Sequence, residues 1–178
     1  MLISYNCLNG VFSKLKQGFN TALADACSEL GSQAQAFTIS FPDTVMSKPT
    51  TSFLLGNLNE AEIEQGGISK TNRLVLWAAG AVDSKDEKMR DFAGSVVIRL
   101  DAYISWYTTN VHTQNFEALS MAVEAAVAEC IQPYSIANWG SGVVYSGQFS
   151  CQRGPVEENG DKGTRQRLSF QMTFGMYI

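Results

Sequence analysis

Gly94-Ser95-Val96-Val97-Ile98-Arg99-Leu100-Asp101-Ala102-Tyr103-Ile104-Ser105-Trp106-Tyr107-Thr108 decides the fold. Val96, Ile98, Leu100, Ala102, Ile104 and Trp106 occupy every second position, and Val97, Arg99, Asp101, Tyr103, Ser105 and Tyr107 lie between them. Successive strand side chains point to opposite sides of a sheet, so this alternation predicts one long strand with its first set on a core. The second set mixes ions with tyrosines and a valine, so the opposite face is not simply polar.

Two helices flank that strand. From about Asn9 to Leu30, Phe12, Leu15, Phe19, Ala22, Leu23, Ala26, Cys27 and Leu30 recur at spacings of three and four, which lines them along one stripe; Gly31 suits the C-terminal cap. From about Gln114 to Ile131, Phe116, Leu119, Val123, Ala126, Val127, Cys130 and Ile131 form a second stripe, with Thr113 or Asn115 as cap and Pro133 as the stop.

Further strands are expected on either side. Gln35–Phe41 alternates Phe37, Ile39 and Phe41 with small polar residues, and Pro42 ends it. Asn72–Val82 is apolar on both parities, as in a strand covered on both sides. After Trp139-Gly140-Ser141-Gly142, a strand carries Val143, Tyr145, Phe149 and Cys151 on one side. Arg167–Ile178 closes the chain, with Leu168, Phe170, Met172, Phe174, Met176 and Ile178 inward. The charged run Asp83–Asp91 reads as a solvated connection. Segments 42–71 and 153–164 read as a long arm and a polar hairpin loop. Phe53, Leu54, Leu55, Leu58 and Ile63 inside the arm require it to dock on something, and a short helix around Asn59–Gln65, closed by Gly66-Gly67, fits within it.

The resulting order, α-β-(long arm)-β-β-α-β-β over a single domain 1–178, defines an α+β class. It places two amphipathic helices on one face of a mostly antiparallel sheet of four to five strands. The uncovered face would carry Tyr103, Tyr107, Val97 and Trp77 or Val75, which suits a subunit contact there or along the arm.

The chain of 178 residues is 45% hydrophobic and 17% charged, enough to bury a core without a metal or disulfide staple. Its net charge of −4 argues against a dedicated DNA-binding protein. No run approaches the ~18 apolar residues needed to span a bilayer, and the N-terminus lacks the basic and apolar regions of a signal peptide. Cytosolic synthesis is therefore expected, with Cys7, Cys27, Cys130 and Cys151 as free thiols.

Chemistry-bearing motifs are sparse. His112, the single histidine, lies in a loop and belongs to no motif. Cys27 and Cys130 fall on apolar helix stripes, where a thiol behaves as a small hydrophobe rather than a nucleophile. Glu157-Glu158-Asn159-Gly160-Asp161 lacks the alternating ligands of a calcium loop, and Gly140-Ser141-Gly142 leads into a strand rather than a helix. Arg153, Lys162, Arg165 and Arg167 cluster, but Glu157, Glu158 and Asp161 interleave with them. No catalytic residue, cofactor or metal ligand is expected.

The order of elements resembles the tail terminator, or tail completion, proteins of long-tailed bacteriophages. Val96–Tyr103, Asn115–Val123 and Arg165–Phe174 carry the resemblance, which extends as a pattern over residues 9–178. It implies a structural virion protein that is not an enzyme: a homo-oligomeric ring, hexameric in that family, that caps the tail tube and ends its polymerisation. The ring's other face would meet the neck or head-completion protein, and DNA would only pass through the lumen. The implied location is the tail or neck of a virion assembled in the host cytoplasm, without membrane contact. Contact residues expected on this reading are Phe53, Leu54, Leu55 and Leu58 of the arm, Trp77, Tyr103 and Tyr107 of the sheet face, and Arg153 and Arg165 of the hairpin. The alternatives are a neck or head-closure subunit, or a small α+β enzyme or ligand-binding domain with a pocket near Trp77, Tyr103, Trp106, Tyr107 and His112.

Overall fold

A computed structural model describes residues 3–50, 52–56, 72–83, 92–106, 113–132, 139, 143–158 and 164–177. Helix α1 spans Ile3–Leu30 and α2 Thr113–Ile131. The strands are β1 (Phe53–Leu55), β2 (Arg73–Asp83), β3 (Phe92–Trp106), β4 (Val143–Glu158) and β5 (Thr164–Tyr177). They form one sheet in the order β1-β2-β3-β5-β4. β1 joins β2 in parallel and the remaining pairs are antiparallel. Both helices pack on one face, α1 chiefly over β2 and β3 and α2 over β4 and β5, with their stripes against each other. This is the expected α+β layer.

The alternation of β3 holds. Val96, Ile98, Leu100, Ala102 and Ile104 are buried with Leu168, Phe170, Met172 and Phe174 of β5 and with both helix stripes. The Trp106 side chain lies outside the described residues. α1 starts a turn and a half earlier than the apolar stripe alone indicates, so that Cys7 and Val11 join the core. It ends where Gly31, at φ 66°, takes the left-handed conformation that closes a helix at little cost to glycine.

Three expectations need correction. Residues 35–41 form no strand. Their alternation is real, with Ile39 buried and Ala36, Thr38 and Ser40 exposed, but no strand pairs with them. The side-chain amide of Asn20 on α1 instead satisfies the Ile39 backbone from both sides. Periodicity reports which side chains are buried; it does not supply a ladder partner.

The contact role expected of Phe53 is the second: the arm docks, as its apolar residues require, on its own subunit. Thr50 Oγ1 donates to Ser40 O at 2.7 Å and accepts from Phe53 N at 3.1 Å, pinning the turn that enters β1. Phe53 then inserts into the core, its ring centroid 5.2 Å from that of Phe12 and 4.9 Å from that of Phe41. A fully buried aromatic ring of this kind contributes several kcal/mol, enough to hold a three-residue strand in place. Leu58 and the short helix expected at 59–65 lie outside the described residues.

Finally, residues 153–158 are not loop. β4 continues through them, and β5 begins at Thr164. Polar composition hid this because the strand lies at the sheet edge, where polar side chains face water and β4 absorbs two register shifts, between Tyr145 and Phe149 and between Arg153 and Val156.

Candidate functional site

The face of the sheet turned away from the helices is built from four side-chain rows running across β4, β5, β3 and β2. Strand register places Glu157 beside Arg165 and Ser105; Arg167 beside Tyr103 and Arg73; Gln152 beside Ser169, Asp101 and Val75; and Ser150 beside Gln171, Arg99 and Trp77. Leu54 of β1 extends the Val75 row.

A concavity of about 460 Å³ opens on this face, lined by residues of β3, β5 and β4. The second irregularity of β4 borders it. There Gly154 and Pro155 stand opposite Arg167, and a Cβ on Gly154 would come within 3.0 Å of the Arg167 carbonyl oxygen. Gln166 fixes this kink from the helix side: its Nε2 donates to Gly154 O at 2.9 Å, while Ser120 Oγ of α2 donates to its Oε1. Gln166 and Ser120 are both buried, so the bond satisfies two polar groups that would otherwise be costly.

Electrostatically the face is organised around Asp101. Its side chain is 3% exposed and both oxygens are used: Oδ2 accepts from Arg167 at 2.5 Å and Oδ1 from Ser169 Oγ at 2.6 Å. Arg167 is 49% exposed and lies 5.9 Å from the centroid of the Tyr103 ring. Arg165 pairs with Glu157 at 2.8 Å. Arg99 is exposed and reaches Gln171 at 3.5 Å, the outer limit of a hydrogen bond. Burial lowers the pKa of Arg73 from its ordinary value.

No family model matches this chain, and no curated protein matches it. The reading of the site therefore rests on its geometry.

Of the residues expected to make contacts, Leu54, Trp77, Tyr103 and Arg165 come together on this face. Phe53 and Leu55 sit on the opposite parity, Phe53 sealed in the core and Leu55 packed against it. Arg153 also points to the helix side. It binds Glu117 and Glu124 of α2, each at 2.5 Å, and so ties the edge strand to the helix. Tyr107 and His112 lie outside the described residues; of the residues expected around a pocket near Trp77, Tyr103 and His112, Tyr103 lines the concavity and Trp77 does not. Asp101, Ser169 and Arg99 are not among the expected contact residues, and Arg167 enters the sequence reading only within the mixed basic cluster. Their signal was their outward parity on two long strands, which the register then aligns.

This arrangement is suited to binding. A carboxylate with both oxygens engaged, flanked by guanidinium groups, holds charges in fixed positions. Among the described residues no three His, Cys, Asp or Glu side chains gather as a metal site. Cys7, Cys27 and Cys130 are buried and burial raises each thiol pKa, Cys7 to about 11 and Cys130 to about 12, with Glu129 adding to the shift of Cys130. Such thiols stay protonated and inert near neutrality. Among the described residues no helix is long and apolar enough to cross a membrane.

Proposed function

We propose that this protein is a structural subunit of a phage tail, assembling as a ring, hexameric by analogy with tail terminators, that caps the tail tube and joins it to the neck. The observation that carries this reading is the one-sided helix layer. Both helices pack on the other face of the sheet, and Leu54, Val75, Trp77 and Tyr103 lie on this one, Val75 buried and the other three partly so. A face on which neither described helix packs, with apolar and aromatic groups among fixed ion pairs, suits a contact between subunits. The order of elements supports the family analogy, and a ring built by head-to-tail contacts needs no two-fold-symmetric patch. A net charge of −4 suits a lumen through which DNA slides without being held.

The partners on this reading are other copies of the chain, the tail tube protein and the neck or head-completion protein, and the location is the virion. Light scattering across a dilution series, with negative-stain images in the presence and absence of tail tubes, tests it. Rings in solution, or monomers that form rings on tube ends, support the reading, and Leu54→Asp should then weaken ring formation while leaving the monomer folded. A strict monomer or dimer that ignores tubes would overturn it.

The concavity beside Tyr103 favours one second reading, a ligand-binding domain. Its volume falls in the range of small-molecule sites, and a monomer with saturable small-molecule binding is the outcome that would select it.

A further inference from the structure

We infer that the outer concavity binds a neutral, hydroxyl-rich chain, a short oligosaccharide. This names a ligand class for the concavity, so it rests on the ligand-binding reading and not on the ring.

The first ground is that most of the charge is already matched. Asp101 holds Arg167 and Glu157 holds Arg165, so these four ionic groups of the lining neutralise one another in pairs. Arg99 is left, and its partner among the described residues is the amide oxygen of Gln171. One cation is too little to hold a polyanion, and Glu157 stands at the far end of the groove from it. An apolar ligand fits no better, because it would strip water from two ion pairs and return no hydrogen bonds. The ligand that can replace that water carries no charge and has groups that both donate and accept, as sugar hydroxyls do.

The second ground is the set of polar groups the ligand would meet. Ser169 Oγ donates to Asp101 and keeps its lone pairs for an incoming donor; Gln171 accepts from Arg99 at Oε1 and keeps its Nε2 hydrogens. Ser150 and Gln152 are exposed on the same floor. The carboxylates order Arg165 and Arg167 in advance, so little conformational freedom is lost when a hydroxyl docks on them. Tyr103 adds a partly buried ring against which the C–H face of a sugar can lie.

The third ground is shape. From Arg165 to Gln171 the lining runs about 20 Å along β5, and across β4, β5 and β3 it spans about 10 Å. That outline is long and narrow, as a chain of sugar rings is.

Isothermal titration calorimetry of the full chain tests this, with maltotetraose, cellotetraose and N-acetylchitotetraose as neutral probes and tetragalacturonate as the anionic counterpart. The expected result is saturable binding of at least one neutral probe, tighter than that of tetragalacturonate and unchanged in about 1 M salt, where charge is screened. Gln152→Ala should weaken it about three- to tenfold, the loss of one hydrogen bond, and Tyr103→Ala at least as much. Gln152 is exposed, so its variant tests the groove even if Tyr103→Ala fails to fold. Gln17→Ala, an exposed amide on α1, should bind as the parent does. No saturable binding of any neutral probe, binding undiminished by Gln152→Ala, or tighter binding of tetragalacturonate would each overturn the inference. A screen of apolar and charged fragments by ligand-observed NMR separates the two failures. A fragment weakened by Gln152→Ala removes the saccharide class alone, and no binder at all removes the ligand-binding reading with it.

Discussion

The side-chain amide of Asn20 does for Ile39 what a neighbouring strand would otherwise do: Nδ2 donates to the Ile39 carbonyl at 3.1 Å, and Oδ1 accepts from the Ile39 amide at 2.9 Å. One helical side chain thus holds an extended segment against the core without any sheet.

Replacing Asn20 with alanine removes both bonds at once and leaves two part-buried backbone groups unsatisfied. The expected cost is about 1–3 kcal/mol, read as a lower urea midpoint with an unchanged slope. Amide exchange should accelerate over residues 34–41 and stay slow in β3 and β5. Uniform acceleration across the sheet would contradict a local role.

The two neighbours Phe53 and Leu54 should behave in opposite ways. Phe53→Ala empties a core site beside Phe12 and Phe41, and a loss of about 3–5 kcal/mol is expected. Leu54→Asp, on the opposite face and only partly buried, should cost less, about 1–2 kcal/mol in the isolated subunit. Urea denaturation of the two variants in parallel checks this contrast.

Arg153 joins β4 to α2 through two carboxylates about two turns apart on the helix, at 30% side-chain exposure. Arg153→Ala should destabilise the fold by about 1 kcal/mol, near the upper end for partly exposed pairs. That difference should shrink when denaturation is repeated in 1 M salt, where the Debye length falls to about 3 Å. A salt-independent loss would assign the effect to packing of the arginine stem instead.

The buried thiols set an alkaline limit. Burial raises Cys7 and Cys151 to about 11 and Cys130 to about 12, from an ordinary 9.0. The folded chain therefore keeps protons that the unfolded chain gives up. This contribution is fully present below about pH 9 and is lost as pH climbs through about 11 to 12. Melting temperature should fall across that window, and Cys130→Ala should flatten part of the fall. Among the four thiols, Cys151, which is half-buried, should be the first to react with an alkylating agent at pH 8.

The strands and helices with clean periodicity were legible because their period reports a physical constraint. β3 and β5 alternate over their whole length, since one face meets a core and the other does not. The segment at 35–41 alternates for the same reason, yet it is not a strand, because hydrogen-bond partners lie outside any local pattern. β1 was hidden within the arm: three residues are too short to show a period, and Phe53 alone marked the anchor. The extension of β4 was masked by its polar edge. The candidate site was half legible. Trp77, Tyr103 and Arg165 were identified from type and parity. The pairing of Asp101 with Arg167 depends on register between strands 66 residues apart in the chain, which composition does not encode.

Gln166 lines the outer concavity and holds the Gly154 carbonyl, while Ser120, buried on the helix side, holds Gln166 in turn, so part of the lining is fixed by a residue at the back of the sheet. Scaffold and display are thereby separately addressable. The other polar side chains lining the bowl can be exchanged one at a time for others of different chemistry while the bowl keeps its depth, like a mould with a replaceable lining. The converse also holds: a substitution at Ser120, on a helix at the back of the sheet, would alter the shape of a surface it never touches.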